Sequence, residues 1–297
     1  MQEINYKKGI PTLLLCFFIW GFQPLYWYIC GEWDTYFLLA CRIIWAAVCC
    51  LCILWAQGKL PQLLEVFRDK NILKREIPAS IFLLADWGVY LWAVQNGRGL
   101  EGSLGYYIQP IVVFILGAVI FREKVSWRHI VILAVVVVGI VLSTDGFNGI
   151  PYVTILLAVC FAIYAAIKRS LRIDSVVSTS AEIVMMVPLA LLFILFFRMG
   201  DTGMASITPL RQLMLLGAGV VTAMPMVLYS VGVKYLPLMT AGFCQYLSPT
   251  LAIVCGMIMG EYLTAEKLRS FYFIWAGVLL YCLNTVYEER KKARLKP

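Results

Sequence analysis

Apolar stretches of about twenty residues recur along this chain, separated by short polar segments. A helix of roughly twenty apolar residues spans the hydrocarbon core of a bilayer. The first stretch is expected to stay in the mature protein, because its apolar run is longer than that of a signal peptide and no small-residue cleavage site follows it. The pattern predicts ten transmembrane helices, near residues 9–29, 34–57, 77–96, 101–121, 127–144, 151–168, 175–198, 209–233, 238–260 and 267–288.

Composition supports this interpretation. Hydrophobic residues make up 62% of the 297 residues and charged residues only 14%, whereas a soluble domain carries roughly 25% charged residues. A water-soluble surface cannot be built from so few charges. The predicted fold class is therefore an all-α integral membrane protein.

The basic residues predict the orientation of the chain in the membrane. If the N-terminus is cytoplasmic, nineteen of the 25 Lys and Arg residues fall in cytoplasmic segments, and positive residues mark that side. Both termini are therefore predicted in the cytoplasm, in a multi-pass protein of the cytoplasmic membrane. This topology, with attraction to anionic lipid, explains the net charge of +8, so no nucleic-acid partner is predicted.

An internal repeat divides the chain into two predicted five-helix units, residues 1–146 and 147–297. LGYYIQPIVVFILGAVIFREK in the first unit aligns with AGFCQYLSPTLAIVCGMIMGEY in the second. Each segment has an aromatic-rich start, a proline (Pro110 or Pro249) and a glutamate near its end. Because five is an odd number, the second unit crosses the bilayer in the opposite sense. The chain is thus predicted to be an inverted-topology repeat, which is typical of transporters.

Inverted repeats also predict a mechanism. Two similar units of opposite orientation can each adopt the other's conformation, so inward-facing and outward-facing states have similar energies. Pro110 and Pro249 are hinge candidates, because a proline inside a helix removes one backbone hydrogen bond and permits bending. A static kink tolerated for packing is the equally weighted alternative.

Charged groups at membrane depth are the most informative residues, because each costs about 2.5–3.5 kcal/mol at the centre of a helix. Arg42, Asp86 and Glu182 lie roughly 10–13 Å from the ends where their predicted helices enter the membrane. They are predicted to face a shared polar cavity that holds a charged substrate or exchanges a proton. A structural ion pair is the alternative.

Four further charged residues lie near the ends of predicted helices. Their predicted roles are ordinary ones: long side chains reach the interface, and carboxylates cap helices. These residues are Lys168, Lys234, Glu123 and Glu261.

Aromatic residues make up 14% of the chain, and several lie away from the membrane interfaces where Trp and Tyr are usual. Rings beside a few amides suit a cavity that binds an amphipathic organic molecule by stacking and hydrogen bonding. For any single ring, packing is the more common explanation. The candidate binding residues, besides the three charged ones, are Trp20, Gln23, Tyr26, Tyr90, Tyr106, Gln109, Tyr164, Tyr229, Gln245 and Tyr246.

Nearly all of the ten cysteines lie within predicted helices, where they act as small apolar residues. Cys49 and Cys52 would share a helix face, but no histidine is near them. The single histidine, His129, lies at a helix start. No metal site and no cofactor are predicted.

Three further segments carry a family resemblance. LWAVQNGRGLEGSLGYYIQP at 91–110, FFIWGFQPLYW at 17–27 and GFCQYLSPT at 242–250 resemble the RarD group of EamA-type transporters, within the drug/metabolite transporter superfamily. The resemblance covers essentially the whole chain. It implies a ten-helix, five-plus-five inverted fold with cytoplasmic termini, and the export or exchange of small metabolites such as amino acids or drug-like aromatics. Asp86 replaces an asparagine expected in the group, and a carboxylate there could alter the substrate charge or add proton coupling.

Enzyme classes are disfavoured, because the chain contains no GxxxxGK[ST] loop, GxSxG elbow or HExxH motif. The predicted function is secondary transport by alternating access, moving a small organic metabolite across the cytoplasmic membrane by export or exchange. A proton-coupled uptake carrier and a channel are the alternatives. The predicted partners are the substrate, the lipid bilayer and, as one option, protons, in a monomer or homodimer.

Overall fold

A computed structural model describes residues 4–30, 34–96, 98–142, 152–196, 208–260 and 265–294. All regular secondary structure in these ranges is helical. The helices are α1 Tyr6–Cys30, α2 Thr35–Ala56, α3 Leu60–Arg68, α4 Lys70–Gln95, α5 Gly99–Ile120, α6 Trp127–Leu142, α7 Tyr152–Ser170, α8 Ser175–Phe196, α9 Pro209–Tyr235, α10 Leu238–Gln245, α11 Leu247–Ile258 and α12 Ala265–Arg294.

Seven helical segments within the described ranges are long and apolar enough to cross a membrane. They comprise α1, α2, α5, α7, α8, α9 and the joined α10 and α11. The three other predicted segments coincide with helices α4, α6 and α12. Large apolar side chains such as Val119 and Leu195 are 69% and 74% exposed, as expected where lipid covers the surface. The chain is a multi-pass membrane protein.

The predicted helix over 238–260 is interrupted in the structure. It consists of α10 and α11, which meet at Tyr246. Pro249 has no N–H to donate to the carbonyl of Gln245, so the helical ladder loses a bond at this point. The N–H of Tyr246 donates instead to the carbonyl of Phe243, in a tighter turn.

An additional short helix follows α2 in a segment that the apolar pattern left between two membrane spans. This helix, α3, buries Leu63 and Val66. Beside it, Lys59 donates a 2.8 Å hydrogen bond to Asp174, which caps the start of α8 through the N–H of Val176 at 2.9 Å. Partial burial of Asp174 raises the pKa of its carboxyl group, but the bond from Lys59 and the helix N–H groups outweigh that effect and lower the pKa.

The packing between helices has an exchange symmetry. The contact of α5 with α7 corresponds to that of α11 with α1. The contact of α1 with α9 corresponds to that of α7 with α4, and the contact of α2 with α9 corresponds to that of α8 with α4. Helices α2 and α8, α5 and α10, and α6 and α12 pair directly. Each of these contacts therefore has an equivalent when the first five long helices are exchanged for the second five. The largest apolar cluster joins α1, α2, α7 and α9.

Close packing of α2 on α9 generates a prediction of stability. A Cβ atom on Gly219 of α9 would overlap the backbone carbonyl of Trp45, whereas a Cβ on Gly88 of α4 would meet no atom within 4 Å. We expect Gly219→Ala to destabilise the protein by about 1–3 kcal/mol, the usual effect of overpacking. Gly88→Ala serves as the control and should be neutral. Thermal unfolding of the purified protein in detergent checks this, and equal melting temperatures for the two variants would contradict it.

Candidate substrate-binding site

The arginine of α2 lies between two tryptophans. The guanidinium carbon of Arg42 is 4.7 Å from the ring centroid of Trp27 in α1 and 5.1 Å from that of Trp87 in α4. Its Nε atom donates to the hydroxyl of Thr222 in α9 at 3.3 Å. Among the described residues, no carboxylate lies within 4.0 Å of the guanidinium. Arg42 is therefore held in position by rings and a hydroxyl but is not neutralised.

The acidic residue Asp86 is likewise held in position by uncharged groups. Its side chain is buried and accepts a 3.0 Å hydrogen bond from Nε2 of Gln109. The Oε1 atom of Gln109 in turn accepts a 2.7 Å bond from Nε2 of Gln245. No lysine or arginine of the described part of the chain forms an ion pair with Asp86. A buried chain of two amides thus orients the carboxyl group and connects α4 and α5 to α10.

Tyr106 lies near both of these charged groups. Its hydroxyl is close enough to both Arg42 and Asp86 to interact electrostatically with each. Its ring lies 5.1 Å from that of Tyr90. Arg42, Tyr90 and Tyr106 are partly exposed, whereas Asp86 is buried. We define these four residues, with Trp27 and Trp87, as the chamber.

An aromatic stack joins α1, α7 and α9. The rings of Tyr164 and Tyr229 are stacked with centroids 6.0 Å apart and an interplanar angle of 18°. Trp20 lies 5.7 Å from Tyr229 and 6.2 Å from Phe161. Trp20 is partly exposed, and the two tyrosines are buried. Trp20 is therefore the ring that a solute can contact, while the buried Tyr229 packs against Trp20 and Tyr164 stacks on Tyr229.

Gln23 and Tyr26, both predicted to bind substrate, contact the backbone of α9. Nε2 of Gln23 donates to the carbonyl of Val221 at 3.0 Å, and the hydroxyl of Tyr26 donates to that of Met214. Both side chains are partly exposed. In this conformation these polar groups join α1 to α9.

Glu182 lies in a different polar cluster from Arg42 and Asp86. Its Oε1 forms a 2.8 Å ion pair with Lys168, and its Oε2 accepts a 3.4 Å hydrogen bond from Tyr164. No hydrogen bond or ion pair within the described ranges joins Glu182 to the other two charged residues. The expectation that Lys168 reaches the membrane interface is wrong, because its side chain is fully buried and also donates to Ser178. A buried carboxylate retains the ammonium group inside the protein.

Tyr246 and the two prolines lie where α5 crosses α10 and α11. The hydroxyl of Tyr246 donates to the carbonyl of Tyr107 at 3.3 Å, and that of Tyr107 donates to the carbonyl of Pro249 at 3.4 Å. The carbonyl of Pro110 lies against Gly242, where a Cβ atom would come within 2.8 Å of it. Tyr246 belongs to a second apolar cluster, with Phe114, Phe243 and Tyr281 among its members.

The predicted capping role of Glu123 is confirmed. Its carboxylate accepts hydrogen bonds from the N–H groups of Leu238 and Met239 at the start of α10, a favourable site for an anion. Arg169 of α7 pairs with the same carboxylate at 3.4 Å and donates to the carbonyl of Val233. These contacts hold the ends of α5, α7, α9 and α10 together. Glu261 lies outside the described residues.

Lys234, the remaining residue near a helix end, donates to the carbonyl of Ile173 at 2.6 Å and is 5% exposed.

Trp27, Trp87 and Thr222 position Arg42, yet in the sequence nothing distinguishes them from interfacial or packing residues. Only the placement of Trp87 next to Asp86 gives a hint. Among the described residues, no group of three or more His, Cys, Asp or Glu side chains could hold a metal ion.

Comparisons with known proteins agree with a transport role. A protein from Bacillus subtilis named uncharacterized transporter YojE is 34% identical over 295 residues, which cover 98% of each chain. Protein RarD of Escherichia coli K12 is 26% identical over 306 residues, covering 99% of this chain and 100% of its own. The resemblance to the RarD group is thus confirmed.

The fold has a solved counterpart. A crystal structure aligns with a TM-score of 0.77 and 16% identity, over 96% of this chain and 100% of its own. The sequence also matches one family twice in succession, over residues 7–144 and 149–283. Together these two matches cover most of the chain, which therefore belongs to the EamA-like transporter family.

Proposed function

We propose that this protein is a secondary transporter that moves a small organic metabolite across the bacterial inner membrane by alternating access. The observation that carries the proposal is the pair of unmatched charges in the chamber. Arg42 has no acidic partner, and Asp86 has no basic one, within the described residues. The family assignment supports a transporter.

The physical argument begins with the cost of these charges. A charged side chain at membrane depth costs several kcal/mol unless it is paired or hydrated. Rings and one hydroxyl compensate only part of this cost at Arg42. A substrate carboxylate could complete the compensation, because the guanidinium binds planar anions through two parallel hydrogen bonds. Arg42 therefore favours a substrate that carries an anionic group.

Asp86 and the rings restrict the substrate further. The carboxyl group of Asp86 can accept a hydrogen bond from an amine or hydroxyl, while Trp20, Tyr90 and Tyr106 offer ring faces. An amino acid or an amphipathic, drug-like aromatic molecule satisfies both ends. Gln109 and Gln245 would keep Asp86 oriented through the 3.0 and 2.7 Å bonds and would not themselves touch the solute.

We propose ten membrane crossings in two inverted five-helix units, 1–146 and 147–297, with both termini in the cytoplasm. The exchange symmetry of helix packing and the two successive family matches support the duplication. The distribution of basic residues supports the orientation. The boundary at 146 lies outside the described residues.

With this orientation, we propose that the conformation described is closed on its cytoplasmic side. Glu123 and Arg169 join the cytoplasmic ends of four helices, while the chamber lies nearer the opposite ends and is partly exposed. Pro110 and Pro249 lie where the two units cross and are the proposed hinges. Export or exchange is the proposed direction. Proton-coupled uptake is the alternative, favoured by the buried carboxyl groups of Asp86 and Glu182.

Substitution of Arg42 tests the proposal. In proteoliposomes, we expect Arg42→Ala to lower saturable counterflow of the transported solute by about 100-fold or more, since losing a charged hydrogen-bonded contact costs about 3 kcal/mol. Labelled amino acids, nucleosides and aromatic drugs are the solutes to screen. Arg128→Ala is the matched control, because this arginine pairs with Glu288 at 3.0 Å outside the chamber. Gel filtration and thermal unfolding verify that both variants fold.

Three results of the same experiment would contradict parts of the proposal. Absence of saturable counterflow for every solute in the unaltered protein, with or without a pH gradient, contradicts transport. Flux that rises linearly with concentration indicates a channel. Equal flux in the Arg42 and Arg128 variants would contradict the assignment of the chamber.

Asp86→Asn tests the second charge. The amide keeps the shape and one acceptor oxygen for the bond from Gln109 but removes the negative charge. We expect the KM for solutes with an ammonium group to rise about tenfold, corresponding to roughly 1.4 kcal/mol, with little change for solutes that lack one. Competition against labelled substrate by matched pairs of amines and their uncharged analogues measures this. An equal change for both members of a pair contradicts a direct contact.

A further inference from the structure

A second cluster of ionisable groups lies on the cytoplasmic side of the chamber. The side chains of Glu76, Lys168 and Glu182 are fully buried, and Lys234 is 5% exposed. Glu76 comes from α4, in the first unit, whereas the other three come from α7, α8 and α9, in the second. The cluster therefore lies across the interface between the two units that rock in alternating access.

Three members of this cluster have fixed partners. Lys168 pairs with Glu182 at 2.8 Å, and Lys234 donates to the carbonyl of Ile173 at 2.6 Å. The hydroxyl of Ser80, one turn after Glu76, donates to the backbone carbonyl of Glu182 at 3.1 Å and ties α4 to α8. These bonds fix the surroundings of Glu76.

Glu76 differs from the other three. Neither of its carboxyl oxygens has a regular hydrogen-bond partner among the described residues, although the carboxyl group lies close enough to that of Glu182 to interact with it. Among the described residues, an ionised carboxylate there would have no hydrogen bond and no direct ion pair, because Lys168 is bound to Glu182 and Lys234, which interacts with Glu76 at longer range, is bound to the carbonyl of Ile173. Burial of such a carboxylate is very costly. A carboxyl group that carries a proton has no such cost, and its O–H can donate to Glu182.

The groups that face Glu76 belong to several helices. Tyr164 and Lys168 lie on α7, Glu182 on α8 and Lys234 on α9. Cys50 of α2 lies beside Lys168 and Glu182, and Asp174 interacts with Lys234.

The charged residues Glu65 and Arg68 of the neighbouring α3 are exposed, and Tyr106 of α5 lies near Asp86 at the other end of α4. Only the Lys168 and Glu182 pair is a direct salt bridge within this set.

We propose that Glu76 is a proton-binding site whose occupancy is required to close the cytoplasmic side of the transporter. The proposal rests on the alternating-access function. When the units separate on this side, α4 moves away from α7 and α8, water reaches the carboxyl group, and the proton leaves to the cytoplasm. Closure requires that a proton return to Glu76. Tyr164 connects the site to substrate binding, because it donates to Glu182 and stacks on Tyr229 beside Trp20.

Glu76→Gln is the variant that tests this site. The amide is neutral at every pH and can still donate a hydrogen bond to Glu182, so it mimics the protonated carboxyl group. Glu65→Gln is the control, because it removes an exposed carboxylate from the adjacent α3. Both variants should fold, since Lys168 keeps its ion pair with Glu182 and Lys234 keeps its bond to the carbonyl of Ile173. Thermal unfolding is the check.

The measurement is the distance between spin labels at the exposed positions Lys124 and Arg172, in a cysteine-free background reconstituted in lipid and titrated from pH 5 to pH 9. In the unaltered protein and in Glu65→Gln, we expect the separated, open population to grow as pH rises, by up to about tenfold per pH unit, the steepness of a one-proton equilibrium. In Glu76→Gln, the closed population should persist at alkaline pH.

Two results would overturn the site: a distance that does not respond to pH in the unaltered protein, or the same response in Glu76→Gln. Because the distances are measured without transport, the two proposals fail separately. A pH response that Glu76→Gln abolishes, together with no counterflow of any solute, would support the proton site and contradict transport.

Discussion

The organisation of this protein depends on the high cost of a charge in a medium where water is scarce. Each ionisable group at membrane depth must find a partner in the protein, in a water-filled cavity or in a ligand. The described residues show two solutions. Lys168 and Glu182 neutralise each other in a fully buried pair, whereas Arg42 and Asp86 are positioned by rings and amides without a counterion. The second arrangement suits a site whose counterion arrives with the substrate.

The same constraint shapes the interface between the two halves. Gln245 of the second half bonds to Gln109 of the first, and Glu123 of the first caps α10 of the second. Each neutral hydrogen bond contributes about 0.5–1.5 kcal/mol net, and more where a charge takes part. A few such bonds can be broken and replaced by others at modest cost. An interface held this way is specific in each conformation and still able to change.

The sequence predicted the helical membrane fold well, because each apolar stretch must form its own backbone hydrogen bonds in lipid. All ten predicted segments coincide with helices. The break at Tyr246 was missed, because a proline near mid-span permits either a kink or an interruption. The short helix α3 was missed because its apolar face is only two turns long.

The site was harder to predict, because burial and pairing depend on which helix faces which. Depth alone singled out Arg42, Asp86 and Glu182, but it could not assign Glu182 to the partner Lys168, which comes from another helix. Proximity to a helix end suggested that Lys168 reaches the interface, although Glu182 holds it inside. Glu76 lies before the predicted start of its membrane span, so nothing in the sequence marked it as buried.

Alternating access requires that the two sides of the protein open in turn, and measuring both sides at once tests this most directly. In a cysteine-free background, one spin-label pair at Lys124 and Arg172 reports the cytoplasmic side, and another at Tyr28 and Leu213 reports the opposite side; all four positions are exposed. We expect two populations, in which one distance is long where the other is short, and whose ratio changes when a transported solute is added. A single rigid population, or distances that lengthen together on both sides, would contradict the account.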